Sequence, residues 1–141
     1  MSTDTPRLAF VCVQNAGRSQ MATAFANRER AARGLDWEIL TGGTHPADHV
    51  HEEVVEVMRE EGLDLSATTP REISTEELRT CDYVATMGCS TLDLGDAAGV
   101  DVRDWALADP DGEDPERVRE IRDEIARRVR DLFDEVAADG N

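Results

Sequence analysis

Cys12 and Arg18 are separated by five residues, with Ser19 directly behind, where an apolar run gives way to a helix-forming stretch. That spacing suits a tetrahedral oxyanion. The intervening Val13, Gln14, Asn15, Ala16 and Gly17 are enough chain for backbone N–H groups to curl inward as an anion nest at the start of the helix that Ser19-Gln20-Met21-Ala22 begins. The positive end of that helix and the fixed charge of Arg18 favour the thiolate form of Cys12, so a nucleophile stands ready without a histidine base. The forked guanidinium of Arg18 can hold two oxygens of the anion while its central atom becomes five-coordinate. Gly17 permits close backbone approach, Asn15 suits a left-handed position, and Ser19 Oγ can donate to the Cys12 sulfur as thiolate and as leaving group. A lone thiol at a strand end is an ordinary small buried hydrophobe; the combination is what points to chemistry.

Two further segments could serve this loop. In Trp105-Ala106-Leu107-Ala108-Asp109-Pro110 a carboxyl group sits at a proline-fixed turn, where Asp109 could protonate an oxygen leaving the central atom, although Asp-Pro is also a common plain turn. Met87-Gly88-Cys89-Ser90 places a second thiol just after an apolar run, beside a glycine that permits bending. Cys81 precedes that run, belongs at its far end and reads as structural. His45, His49 and His51 could together hold a metal, but only one flank of their loop would be pre-organised, so a solvated helix start is the plainer reading.

The elements that must position these groups alternate between strand and helix. Residues 7–12 form a short apolar strand, and a helix over 18–33 stops at Gly34. Residues 37–41 make a second strand, stopped by Gly42-Gly43, and a helix over 50–61 buries Val50, Val54, Val57 and Met58 before Gly62. Ser74 with Glu77 has the form of a capping box. Residues 83–87 make a third strand and 100–102 a shorter fourth; a final helix over 115–136 carries the stripe Val118, Ile121, Ile125, Val129, Leu132, Phe133 and Val136, leaving 137–141 frayed. Such alternation implies an α/β fold, a parallel sheet with helices on both faces in three layers, with ligands beyond the carboxyl ends of the strands.

With 141 residues the chain has room for one domain and not for two. No apolar run approaches the roughly 18 residues that span a membrane, and Met1-Ser2-Thr3-Asp4-Thr5-Pro6 lacks an export pattern, so a cytoplasmic location is expected. Three cysteines in a reduced compartment fit catalytic or redox use better than a disulfide framework. The net charge is −16, with 31 acidic residues against 15 basic ones, all arginine, which argues against nucleic acid and anionic membranes as partners. So acidic and lysine-free a composition suggests a halophilic protein, kept soluble in concentrated salt. At about 1 M salt the Debye length is about 3 Å, so the loop and Arg18, rather than distant carboxylates, would decide whether an anion binds.

The stretch from Val11 to Ala22 resembles the oxyanion loop of low-molecular-weight protein tyrosine phosphatases and, more closely, of the thiol-coupled arsenate reductases that share their fold. Thr86-Met87-Gly88-Cys89 is similar to the reductases' second-cysteine segment, Asp104-Trp105 through Asp109-Pro110 to their Trp…Asp-Pro stretch, and Ile121-Arg122-Asp123-Glu124-Ile125 to part of their last helix. The resemblance covers nearly the whole chain. It implies a four-stranded parallel sheet, Cys12 as nucleophile, Arg18 as oxyanion clamp, Asp109 as general acid and Cys89 as resolving thiol. The implied reaction is reduction of arsenate to arsenite for arsenic detoxification. No metal or other bound cofactor is needed, and an external thiol reductant is expected: a low-molecular-weight thiol, a glutaredoxin or a thioredoxin. The alternative is a phosphatase acting on phosphotyrosine or small phosphoesters, in which water resolves a phosphocysteine. Two departures bear on this choice. Ser90-Thr91-Leu92-Asp93 supplies no further cysteine where many of the reductases have one, and Asp111-Gly112 replaces the aromatic wall that phosphatases of this fold carry after Asp-Pro.

Overall fold

The computed structural model describes residues 6–87, 100–105, 107, 110 and 112–139. Arg7–Cys12 (β1) lies at the centre of the sheet because, after Arg7 at its start, Leu8 to Cys12 are apolar and buried without interruption, as a strand covered on both faces requires. The sheet has four parallel strands in the order β2-β1-β3-β4, with β2 at Glu38–Gly43, β3 at Tyr83–Met87 and β4 at Asp101–Asp104. Chain order therefore reverses at β1, whose carboxyl end is the switch point where ligands of such sheets bind.

Alternate residues of β1 feed two cores. Leu8, Phe10 and Cys12 pack with residues of α1 (Arg18–Arg33), α2 (Glu52–Arg59) and α4 (Pro115–Asp139), whereas Ala9 and Val11 pack with Ile73, Cys81 and Leu78 of α3 (Thr75–Arg79). Trp37 stacks on Phe133 of α4, with ring centroids 4.7 Å apart. The predicted stripes of α2 and α4 are buried as expected, the helix after Cys12 ends at Gly34 in the left-handed region (φ 66), and Ser74 with Glu77 forms the capping box.

Four elements depart in their boundaries from the sequence reading, the slightest being β4, expected over 100–102 and found at Asp101–Asp104. Gly42 and Gly43 do not stop β2 but complete it, paired with Val11 and Cys12. A Cβ on Gly42 would lie 2.4 Å from Ile73 Cβ, and one on Gly43 2.5 Å from the Val13 carbonyl oxygen, so these glycines mark close approach of neighbouring chain. The helix expected over 50–61 is shorter, Glu52–Arg59, because the amides of Gly62 and Leu63 turn back onto Arg59 and Met58 around a left-handed Gly62 (φ 77). The last helix runs beyond the expected end at Val136 into the segment expected to fray, as far as Asp139, anchored by buried Val136 and by pairs from Asp134 to Arg33 and from Glu135 to Arg103.

Candidate active site

Cys12 ends β1, buried, with its Sγ accepting the Asn15 amide N–H at 3.2 Å and lying 2.9 Å from Ser19 Oγ. Asn15 Nδ2 donates to the same Ser19 oxygen at 2.8 Å, so the hydroxyl proton is left to point at the sulfur. Two donors thus face the thiol, and both stabilise negative charge on it.

The loop's carbonyl oxygens are turned outward one by one. Cys12 O accepts from Thr44 N, Val13 O from His45 N, Gln14 O from Ala47 N, Asn15 O from Gln20 Nε2, Ala16 O from His51 N and Gly17 O from Met21 N, over distances of 2.7 to 3.3 Å. With every carbonyl from Cys12 to Gly17 taken by a donor elsewhere, none is left to repel an anion at the loop, as a nest of amide N–H groups requires. Gly17 is the N-cap of α1, and the first turn, Arg18-Ser19-Gln20-Met21, carries no carboxylate to neutralise the positive helix end.

Asn15 is the keystone. It is fully buried in the left-handed region (φ 51); its Nδ2 also donates to Thr41 Oγ1, which donates on to Phe10 O, while its Oδ1 accepts from Gln20 Nε2 and Arg71 N. Thr41, Gln20, Arg71 and the segment from Gly43 to His51 are functional supports that the sequence reading missed. For Gln20 the sequence holds a signal, a polar residue set among the apolar positions Met21, Ala22, Phe25 and Ala26 of one helix, and the structure buries it with them.

Arg18 is half-buried and donates from Nη1 to the Leu107 carbonyl at 3.0 Å. Trp105, two residues before Leu107, is buried, its amide bonded to Thr86 O and its ring tilted on Phe10 at 5.9 Å. Pro110 packs over Gly17, where an added Cβ would stand 3.1 Å from Pro110 Cγ and 3.5 Å from His51 Cδ2. Asp109 and Cys89 lie outside the described residues. Cys81 sits before β3, at the sheet's opposite end; burial pushes its thiol up to about 11, keeping it protonated, and its Sγ reaches Glu77 O. The histidines go separate ways: His45 to Thr44, His51 Nε2 to Gln14 Oε1 at 3.1 Å, and His49 to a hollow beside α2. Among the described residues no group of three His, Cys, Asp or Glu side chains gathers as a metal site.

A Halobacterium salinarum protein provisionally named an arsenate reductase is 72% identical to this chain over 142 aligned positions, covering 99% of each. A glutaredoxin arsenate reductase from Synechocystis is 30% identical, covering 93% of this chain and 98% of its own. Among solved structures, the thioredoxin-dependent arsenate reductase of Corynebacterium glutamicum superposes with a TM-score of 0.79 at 33% identity, covering 99% of this chain and 65% of that one. The family model for low molecular weight phosphotyrosine protein phosphatases matches residues 7–141, which span both the oxyanion loop and the sheet that presents it. This chain belongs to the low molecular weight phosphotyrosine protein phosphatase family.

Proposed function

We propose that this protein is a thiol-dependent arsenate reductase. The observation that carries the reading is the buried Cys12 sulfur, faced by two hydrogen-bond donors at the root of a loop whose carbonyls are all turned away. The named relatives supply the identity of the oxyanion: three proteins that share most of this chain are called arsenate reductases.

In this mechanism Cys12 Sγ attacks the arsenic of an arsenate held by the loop amides and Arg18, and one As–O bond breaks, its oxygen leaving as water with a proton from Asp109. A thiol, that of Cys89, then attacks the Cys12 sulfur. The S–As bonding pair leaves with arsenic, which departs as arsenite, and the two sulfurs, each oxidised by one electron, remain as a disulfide. An external thiol reductant restores the enzyme: a thioredoxin, a glutaredoxin or a low-molecular-weight thiol. Both electrons come from thiols, so the cycle needs no metal. The phosphatase reading shares the first step and differs in the second, where water would attack a phosphocysteine.

The two readings part at Cys89. Reduced protein mixed with arsenate and no added thiol should release one equivalent of arsenite and carry a Cys12–Cys89 disulfide on peptide mapping. Cys89→Ser should then need an added thiol for arsenite release. Arsenite that appears only with a supplied thiol in the unmutated protein removes Cys89 from the mechanism. No arsenite under any thiol supply, together with aryl phosphate hydrolysis indifferent to Cys89→Ser, hands the site to the phosphatase reading.

A further inference from the structure

We infer that Gln20 is a positioning residue for the nucleophile: it fixes which way the Asn15 side-chain amide faces, and so aims the Ser19 proton at the Cys12 sulfur. The inference rests on Cys12 as nucleophile, a role that the reductase and phosphatase readings share. Gln20 is buried at the third position of α1. A glutamine at that position ordinarily reaches back as an acceptor for the N-cap amide. Here its Nε2 donates to two oxygens of Asn15, the backbone carbonyl and Oδ1, each at 3.0 Å. A side-chain donor in the first turn gains nothing from the helix's positive end, so helix stability does not explain this use of the residue.

The bonds around Asn15 end on backbone groups that cannot reverse, and these set the direction of the rest. The Asn15 carbonyl can only accept, so it takes the NH2 end of Gln20, and that same end faces Asn15 Oδ1. The Arg71 N–H can only donate, and it too meets Oδ1, at 3.0 Å. Asn15 Nδ2 is thereby turned to Ser19 Oγ at 2.8 Å and Thr41 Oγ1 at 2.9 Å, and Thr41 passes its own proton to Phe10 O at 3.0 Å. Ser19 Oγ accepts from Asn15, so its proton is left for Cys12 Sγ, 2.9 Å away. Reversing the Asn15 amide would let Oδ1 take that proton from the sulfur, and would set Nδ2 against the two donors of Gln20 and Arg71. Of those two, only Gln20 donates from its side chain, so it is the one that a substitution can remove. With a single donor left on Oδ1 the bias weakens, and so does the polarisation by which each donated bond strengthens the next along the chain to sulfur.

The test is the rate at which iodoacetamide alkylates Cys12, read on the Cys12 peptide by mass spectrometry at pH 6 and pH 9.5, in the unmutated protein, Gln20→Met, Ser19→Ala and the double variant. Thermal melts confirm folding of each. The reagent is neutral because Gln20→Met also frees the Asn15 carbonyl, which an anionic probe would feel. Gln20→Met should slow alkylation about fivefold at pH 6, the worth of one ordinary hydrogen bond, and leave it unchanged at pH 9.5, above the usual thiol value of about 8.5. In the Ser19→Ala background Gln20→Met should cost nothing further, because the proton it aims is gone. An undiminished rate at pH 6, an equal loss at both pH values, or an equal loss with and without Ser19 overturns the assignment of Gln20. If Gln20→Met does not fold, the unmutated protein decides: the side-chain amide nitrogen signals of Asn15 and Gln20 should move with pH over the range of the alkylation profile and stay still in Cys12→Ser, and a Gln20 signal indifferent to Cys12 overturns the inference. Because no arsenate is used, the result is readable whichever oxyanion the site takes. A Cys12 whose rate falls from pH 9.5 to pH 6 as steeply as that of free cysteine is a distinct result, which removes the activated nucleophile and with it this inference and both readings.

Discussion

Replacing Asn15 separates two contributions that the oxyanion loop combines in one residue. Its side chain joins Ser19, Thr41, Gln20 and the Arg71 amide, and its backbone holds a left-handed turn while its N–H faces Cys12 Sγ. Asn15→Gly keeps the turn and removes the side-chain bonds; with buried partners left unsatisfied, the loss of folding stability should be about 2–3 kcal/mol. Asn15→Ala removes the same bonds and adds a Cβ in the left-handed region, costing about 1 kcal/mol more. Urea unfolding of the two variants reads the difference directly. Equal stabilities would mean that the loop relaxes out of its turn once the side chain is gone, and that the backbone conformation is not held by the rest of the fold. Both variants should also lose most of their activity, since Ser19 is then free to turn its proton away from the Cys12 sulfur.

At the scale of elements, α2 is fastened to α4 by a clasp around Glu60. Its carboxylate accepts from Arg119 Nε and Nη2 and from Arg122 Nη1, and Arg122, nearly buried, also donates to Val57 O. Those guanidinium hydrogen bonds, from Arg119 first and then Arg122, hold the Glu60 carboxyl down at about 2. A carboxyl group depressed by folding contributes stability that is present above its unfolded value, near 4.5, and disappears as pH falls through about 2. Melting temperatures of the unmutated protein and Glu60→Gln should therefore differ most at pH 5 and above and converge in that acid window. A gap that does not change with pH would show that packing, rather than charge, joins these helices. This clasp also illustrates what sequence can reveal of such a fold. The stripes of α2 and α4, the apolar β1 and the capping box at Ser74 are local patterns, and they read correctly. Most boundaries that misread depend on distant partners: Gly42 on Ile73, Gly43 on Val13, and the end of α4 on Arg33 and Arg103; the end of α2 turns instead on local amides around the left-handed Gly62. The site divides the same way. Cys12, Arg18 and Ser19 announce themselves by spacing, whereas Thr41 and Arg71 reach the loop from other elements, and no local pattern marks them.

Over the whole molecule, the positive loop must work within a net charge of −16. Salt acts on this charge in two opposed ways. It weakens the many surface pairs of arginine with carboxylate, such as Arg7 with Glu38 and Arg117 with Glu120, each worth roughly 0–1 kcal/mol. It also screens the repulsion among the 31 acidic residues, only part of which the 15 arginines can neutralise. The second effect wins, because unpaired carboxylates repel one another over distances longer than a pair's contact, and longer distances are screened first: the Debye length falls from about 10 Å at 0.1 M salt to about 3 Å at 1 M. Melting temperature should accordingly climb with potassium chloride and level off near 1 M, once screening has reached contact distances. A steady fall with salt would mean that the arginine pairs outweigh the net charge. A rise that continues linearly beyond that point, and is matched by an uncharged excluded solute, would trace the stabilisation to exclusion from the surface instead. The same screening governs the site. An arsenate approaching through the field of the outer carboxylates is repelled at low salt, while the contacts that would hold it at hydrogen-bond distance from the loop amides and Arg18 are the last to be screened. The acidic surface that makes the fold depend on salt is therefore compatible with an anionic substrate under the conditions in which the fold is most stable.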